Sequence, residues 1–174
     1  MLRKRQPWST KKAFMYRTKR LLIRRLEPRD KKSLVDLFSS PQVMAFIGPR
    51  RPLTEDETQV WLASQLALQE IRLTRFGVEL REIGELIGVC GYQFIDGEWD
   101  FGYFFRQAFW GHGYATEACI CLLEKANNLL GGDDFVVFIA EDNLASQIVM
   151  EHCGYQPTRL ATKDGERGAY FSAA

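Results

Sequence analysis

Between Phe76 and Ala140 the chain runs three strand-like segments, a Gly-x-Gly turn, one long amphipathic segment and a further strand-like segment. No other feature constrains the fold as much. Residues 76–81, 85–95 and 99–105 have strand composition, and the gaps between them are too short for parallel crossovers. They therefore predict an antiparallel meander, with Asp96-Gly97 as one of its hairpin turns. Gly111-His112-Gly113 follows and opens into a helix expected over residues 115–130. Its apolar face is Ala115, Ala118, Cys119, Leu122, Leu123 and Ala126, at spacings of three and four. Residues 135–140 read as a buried strand, so the centre of the sheet holds a strand–helix–strand unit.

The flanks complete an α+β pattern. Residues 21–26 predict a strand with one buried face, and Pro28-Arg29-Asp30 starts a helix running to about Phe38. Ser39-Ser40-Pro41 stops it. Thr54 and Glu57 form a capping box for a helix carrying Val60, Trp61, Ser64, Leu66 and Leu68 and ending near Ile71. After residue 140, Asn143 can cap a short helix running to His152, with Gly154 at its end. A final hairpin turns at Asp164-Gly165 between strands near 156–161 and 168–172.

A chain of 174 residues with 46% hydrophobic and 26% charged residues suits one globular domain. No apolar run approaches the roughly 18 residues of a membrane helix, and the basic N-terminus precedes no apolar segment that would make a secretory signal. Cys90, Cys119, Cys121 and Cys153 form no C-x-x-C, and His112 and His152 are far apart, so no metal site is expected. Reduced thiols in a cytoplasmic protein are the plain reading. Residues 1–20 hold Arg3, Lys4, Arg5, Lys11, Lys12, Arg17, Lys19 and Arg20 and no acid. They read either as an arm for RNA or an acidic partner or as a solvated terminus. No aromatic-interleaved RNA motif accompanies them, which favours the second.

A Gly-x-Gly turn feeding a helix makes an anion site, because free N–H groups and the helix dipole point the same way. Thr116 stands where a dinucleotide fingerprint needs its third glycine, and no Gly-Lys-Ser/Thr follows the turn. Both common nucleotide motifs are therefore disfavoured.

Another pattern fits. Thr18 through Leu26, Glu85 through Gly91, Phe101-Gly102-Tyr103-Phe104 through Ala118, and Asn143-Leu144-Ala145-Ser146 with Cys153-Gly154-Tyr155 occur in the order and spacing of a known family. The chain resembles the GNAT superfamily of acyl-CoA-dependent N-acyltransferases, within it the branch of ribosomal-protein N-terminal acetyltransferases. The resemblance implies a twisted, mostly antiparallel seven-stranded sheet, a central parallel pair splayed for CoA, and about four flanking helices. It implies one domain over residues 18–174 behind a basic extension, 1–17. The superfamily loop opens on Gln or Arg, and Trp110 departs from that.

Carried over residue by residue, the resemblance places acetyl-CoA between residues 99–105 and 135–140. Main-chain groups of Phe104, Phe105 and Arg106 would hold pantetheine. Trp110, Gly111, His112, Gly113, Tyr114, Ala115 and Thr116 would hold the diphosphate. Asn143 would touch pantetheine, cap its helix, or both. Many superfamily members place a tyrosine four residues before the closing glycine, where this chain has Met150. The ribosomal-type branch points instead to Ser146 for stabilising the leaving sulfur. Asp100 and Glu98 share a strand face, and either could take the amine proton through water or be a solvated acid. Arg50 and Arg51 could attract an acidic substrate or be surface charge.

The expected activity is acetyl transfer from acetyl-CoA to a primary amine by direct attack in a ternary complex. The amine would be a protein N-terminus or a small molecule. A non-catalytic CoA sensor and an RNA- or ribosome-associated adaptor using residues 1–20 remain alternatives. Monomer and homodimer both stay open, and no metal or membrane is called for.

Overall fold

The computed structural model describes residues 15–68, 74–95, 97–130 and 135–174. Over them the chain runs β1 (Met15–Arg17), β2 (Leu21–Arg24), α1 (Lys31–Phe38), α2 (Pro41–Met44), α3 (Glu55–Ala67), β3 (Arg75–Leu80), β4 (Glu85–Ile95), β5 (Glu98–Phe105), α4 (Tyr114–Leu130), β6 (Phe135–Ala140), α5 (Leu144–His152), β7 (Tyr155–Lys163) and β8 (Glu166–Ala173). Short 3-10 turns at Pro28–Asp30 and Gln107–Phe109 lead into α1 and the glycine turn. The expected turn residue Asp96, the helix end near Ile71 and Gly131-Gly132 lie outside the described residues.

The strands form one eight-stranded sheet, β1-β2-β3-β4-β5-β6-β8-β7, antiparallel throughout except between β5 and β6. The mixed sheet with a central parallel pair is the architecture expected. Its strand count is one higher than the seven expected, because Met15–Arg17 adds an edge strand to β2. That strand has one inward residue, Tyr16, whose ring meets Phe76 edge-on at 5.8 Å. A three-residue strand with one buried position leaves no period-2 signal. Helix α2 is a second addition: Ser40 accepts a hydrogen bond from Val43 N–H, and Pro41 occupies the first helical position. The proline that ends α1 thus begins α2.

Each sheet face buries its own core. Leu21, Ile23, Phe76, Val78, Phe101 and Phe105 pack with Ala118, Cys119, Leu122 and Ala126 of α4. On the other face Leu34, Leu37, Phe38 and Leu62 of α1 and α3 meet Leu86 and Val89 of β4. Residues 86 and 89 share a face because the register shifts between Val78 and Glu79, and a bulge reverses the alternation. Arg24, 5% exposed, grips both oxygens of Asp30 at 2.9 Å and Glu79 at 3.0 Å, which fastens β2 to the start of α1. These carboxylates raise the Arg24 pKa against the opposing effect of burial.

Candidate active site

The parallel pair is short. β5 and β6 are in register only at Trp99↔Phe135 and Asp100↔Val136, after which β6 pairs with β8 from Val137 to Ala140. Residues 101–105 therefore run beside a gap that opens toward the glycine turn. Arg106 N–H donates to Ile87 O at 2.8 Å. Antiparallel alternation then turns the main-chain groups of Phe104 and Arg106 toward β4, and those of Phe101, Tyr103 and Phe105 toward the gap. Of the three residues expected to hold pantetheine, only Phe105 presents its backbone there, and its carbonyl also accepts Trp110 Nε1–H at 2.7 Å. Tyr103, to which the family resemblance assigns no role, presents its backbone there as well. The phase is legible only once the β4 partner is known.

Side chains on β5 divide between the faces. Phe101, Tyr103 and Phe105 point to the α4 side, whereas Phe104 packs among α1 and α3, 5.8 Å from the Phe38 ring. Arg106 is committed to Glu85 and, at 3.4 Å, Asp36.

The turn itself is exposed from Trp110 to Gly113. Gly111 and Gly113 both have φ +77, a left-handed conformation that costs an L-residue about 1–2 kcal/mol. Two such residues around His112 reverse the chain, and Glu117 N–H then closes the first turn of α4 onto Gly113 O at 3.0 Å. The His112 ring stacks on Tyr114 at 5.6 Å. Ala115 and Thr116 are half-buried in that first turn, and Thr116 O accepts Cys153 Sγ–H at 3.9 Å.

Glu117 fixes the turn from behind. Its carboxylate accepts from Thr18 Oγ1 at 2.6 Å, Arg20 N–H at 2.8 Å and Arg20 Nε at 2.7 Å. Burial disfavours its charge, but these hydrogen bonds outweigh burial and hold the carboxyl below its ordinary range.

At the mouth of the gap, Asn143 caps α5, its Oδ1 accepting Ser146 N–H at 3.3 Å. Ser146 lies half-buried one turn in, and Tyr103 reaches it from β5, its hydroxyl donating to Ser146 O at 3.0 Å. Burial pushes the Tyr103 phenol well above its ordinary value, so it stays a donor. Met150 is fully buried core.

The two carboxylate candidates separate. Glu98 is exposed at the hairpin end of β5, outside the gap. Asp100 stands where pairing with β6 ends, on the strand face of Gly102 and Phe104, with Arg75 Nη2 at 3.3 Å and Lys163 Nζ at 3.4 Å. Arg75 is 7% exposed and also donates to Gly91 O at 2.6 Å. Burial lowers its pKa, and Asp100 only partly restores it. A side chain at Gly102 would begin 2.7 Å from Arg75 Nη1, so glycine is what admits this cation. Arg50 Nη1 meets Glu166 at 2.9 Å, joining the loop before α3 to the β7–β8 hairpin. Arg51 instead pairs with Glu57 at 2.6 Å. The four cysteines are free, and among the described residues no three His, Cys, Asp or Glu side chains gather as metal ligands. Among the described residues no helix is long and apolar enough to cross a membrane.

The chain is similar to known proteins in sequence and in fold. The uncharacterized N-acetyltransferase p20 of Bacillus licheniformis is 27% identical over 148 residues, covering 82% of this chain and 83% of that protein. The acetyltransferase from Agrobacterium tumefaciens superposes with a TM-score of 0.78 at 25% identity, covering 99% of each chain. The ribosomal L7/L12 alpha-N-protein acetyltransferase RimL, solved with coenzyme A, superposes at 0.70 with 16% identity, covering 88% of this chain and 92% of that one. The family profile described as acetyltransferase (GNAT) domain matches residues 20–156, and this acyltransferase belongs to the GNAT acetyltransferase family.

Proposed function

We propose that the protein transfers the acetyl group of acetyl-CoA to a primary amine, by direct attack within a ternary complex. One observation carries this: the β5–β6 register stops after Asp100↔Val136, and the gap so opened leads straight to the left-handed turn at Gly111 and Gly113. A thioester laid in the gap completes the edge of β5 through the main chain of Tyr103 and Phe105, as an added strand would. Its diphosphate meets the N–H groups of the turn and the positive end of α4. The coenzyme A bound to RimL supports this donor.

The two sides of the gap take different halves of the reaction. Ser146 and Tyr103 lie together on the α4 and α5 side, where the departing thiolate needs hydrogen-bond donors. Ser146 Oγ–H supplies one, and the Tyr103 bond to its carbonyl holds the first turn of α5 in place. Asp100 lies on the α1 and α3 side, where the amine enters. With Arg75 and Lys163 on its oxygens it sets the charge of that floor, and the amine proton leaves through water. Glu98 is too far along the hairpin to share this role. Holding amine and thioester together removes much of the entropic cost of their encounter.

The test is an initial-rate assay of free thiol release from acetyl-CoA, with peptides bearing free N-termini and with small amines including polyamines and amino acids. A gain of one acetyl group by one class, with intersecting reciprocal plots, is the expected result. Ser146→Ala should lower kcat by about 100-fold, the usual scale for a positioned proton donor. Saturable CoA binding with no acceptor-dependent thiol release would make the protein a CoA sensor instead.

A further inference from the structure

Arg20 lies in the turn between β1 and β2, yet its side chain serves the glycine turn of α4. Nε donates to Glu117 at 2.7 Å, Nη1 donates to His112 O at 2.8 Å, and the guanidinium covers the Tyr114 ring at 4.5 Å. Nη2 donates to nothing among the described residues and lies 3.5 Å from where a side chain at Gly113 would begin. Arg20 is 39% exposed, whereas Glu117, which holds it, is 17% exposed.

The turn needs such a group. Main-chain N–H groups and a helix dipole amount to about half a positive charge, whereas a diphosphate diester carries two negative charges. The first loop position supplies nothing, because the Trp110 indole N–H is spent on Phe105 O. A planar guanidinium with two of its nitrogens already fixed is oriented before the ligand arrives, so little freedom is lost in making the third contact.

We propose that Arg20 is the side-chain cation of the donor site, giving Nη2–H to a diphosphate oxygen of acetyl-CoA, with Glu117 as its positioning residue. The inference rests on the reading of residues 111–116 as the diphosphate cradle. Arg20 thereby replaces, from a distant turn, the polar group that Trp110 displaces.

The experiment compares wild type and Arg20→Gln with three ligands and two thioesters. Wild-type binding of CoA tests the cradle itself, and the ratio of variant to wild type tests Arg20. Arg20→Gln should weaken CoA and dephospho-CoA equally, by about tenfold or more, the worth of one charge-assisted hydrogen bond. Pantetheine binding should not change. Correspondingly, kcat/KM should fall for acetyl-CoA and hold for the acetyl thioester of N-acetylcysteamine, which has no phosphate. A merely structural arginine would depress both thioesters together, and that result would overturn the proposal. So would a loss confined to CoA, which would place Arg20 on the ribose 3′-phosphate, or no loss at all. Arg20→Lys, which keeps the charge but not the fork, should show a smaller loss of the same pattern. A collapse of the melting temperature in both variants would assign Arg20 to the fold and end the proposal.

Discussion

The two sides of the β5–β6 gap are held in different ways. Toward the glycine turn the contacts are short and centred on one carboxylate: Thr18, Arg20 and Glu117 meet at 2.6–2.8 Å. Toward α1 and α3 the ion pairs are longer, Arg75 and Lys163 reaching Asp100 at 3.3 and 3.4 Å, and the closing pair Arg50–Glu166 is 35% and 33% exposed. A donor that is the same at every turnover can be met by rigid main chain. An acceptor met by side chains could be exchanged for another without disturbing the fold.

The contrast can be broken or sharpened by experiment. The largest effect should come from Gly102→Val, which drives a side chain into Arg75 Nη1. Overpacking and loss of the Arg75–Asp100 contact together should cost about 3 kcal/mol in urea unfolding. A cost below about 1 kcal/mol would show the acceptor floor to be softer than its burial suggests. Next, Gly113→Ala imposes about 1–2 kcal/mol of left-handed strain on the turn. It should raise the acetyl-CoA KM by about tenfold and leave the acceptor KM alone, and a shift in both would erase the distinction between the sides.

Glu117 gives a smaller, pH-dependent effect. Its folded pKa is depressed from 4.5, so its contribution is complete above that value and is lost as pH falls through the lower, folded pKa. Below about pH 4.5 the wild type should lose stability more steeply than Glu117→Gln, as followed by melting temperature across an acid series. Equal slopes would mean that Glu117 is not what locks the turn. The smallest change should follow Arg50→Ala. An exposed pair contributes less than about 1 kcal/mol, so stability should barely move while the acceptor KM shifts severalfold. An acceptor KM unchanged to within error would remove Arg50 from the acceptor side.

The same division decided what the sequence disclosed. The meander, the Gly-x-Gly turn and the Thr54–Glu57 capping box are local patterns, the central parallel pair follows from the strand–helix–strand order and the family resemblance, and each appears in the structure. The stripe that α3 buries is Thr58, Leu62 and Gln65, while Val60 is 71% exposed, so polar residues inside and an apolar one outside hide the helical period. In the sequence Arg20 is one more cation of a basic terminus. Its meaning depends on Glu117, 97 residues later. Asp100 and Glu98 share a strand face in both readings, but only the end of β5–β6 pairing tells them apart.

Two residue pairs are all that stitch β5 to β6 in register. The sheet is thus nearly two sheets, β1 to β5 and β6 to β8, with a seam between them. A thioester lying along that seam would act as the missing mortar, and its binding free energy would be added to the cohesion of the fold. Saturating CoA should therefore slow amide exchange in β6 and raise the melting temperature together, with the enzyme loosest at the moment when product has left and the next donor has not arrived.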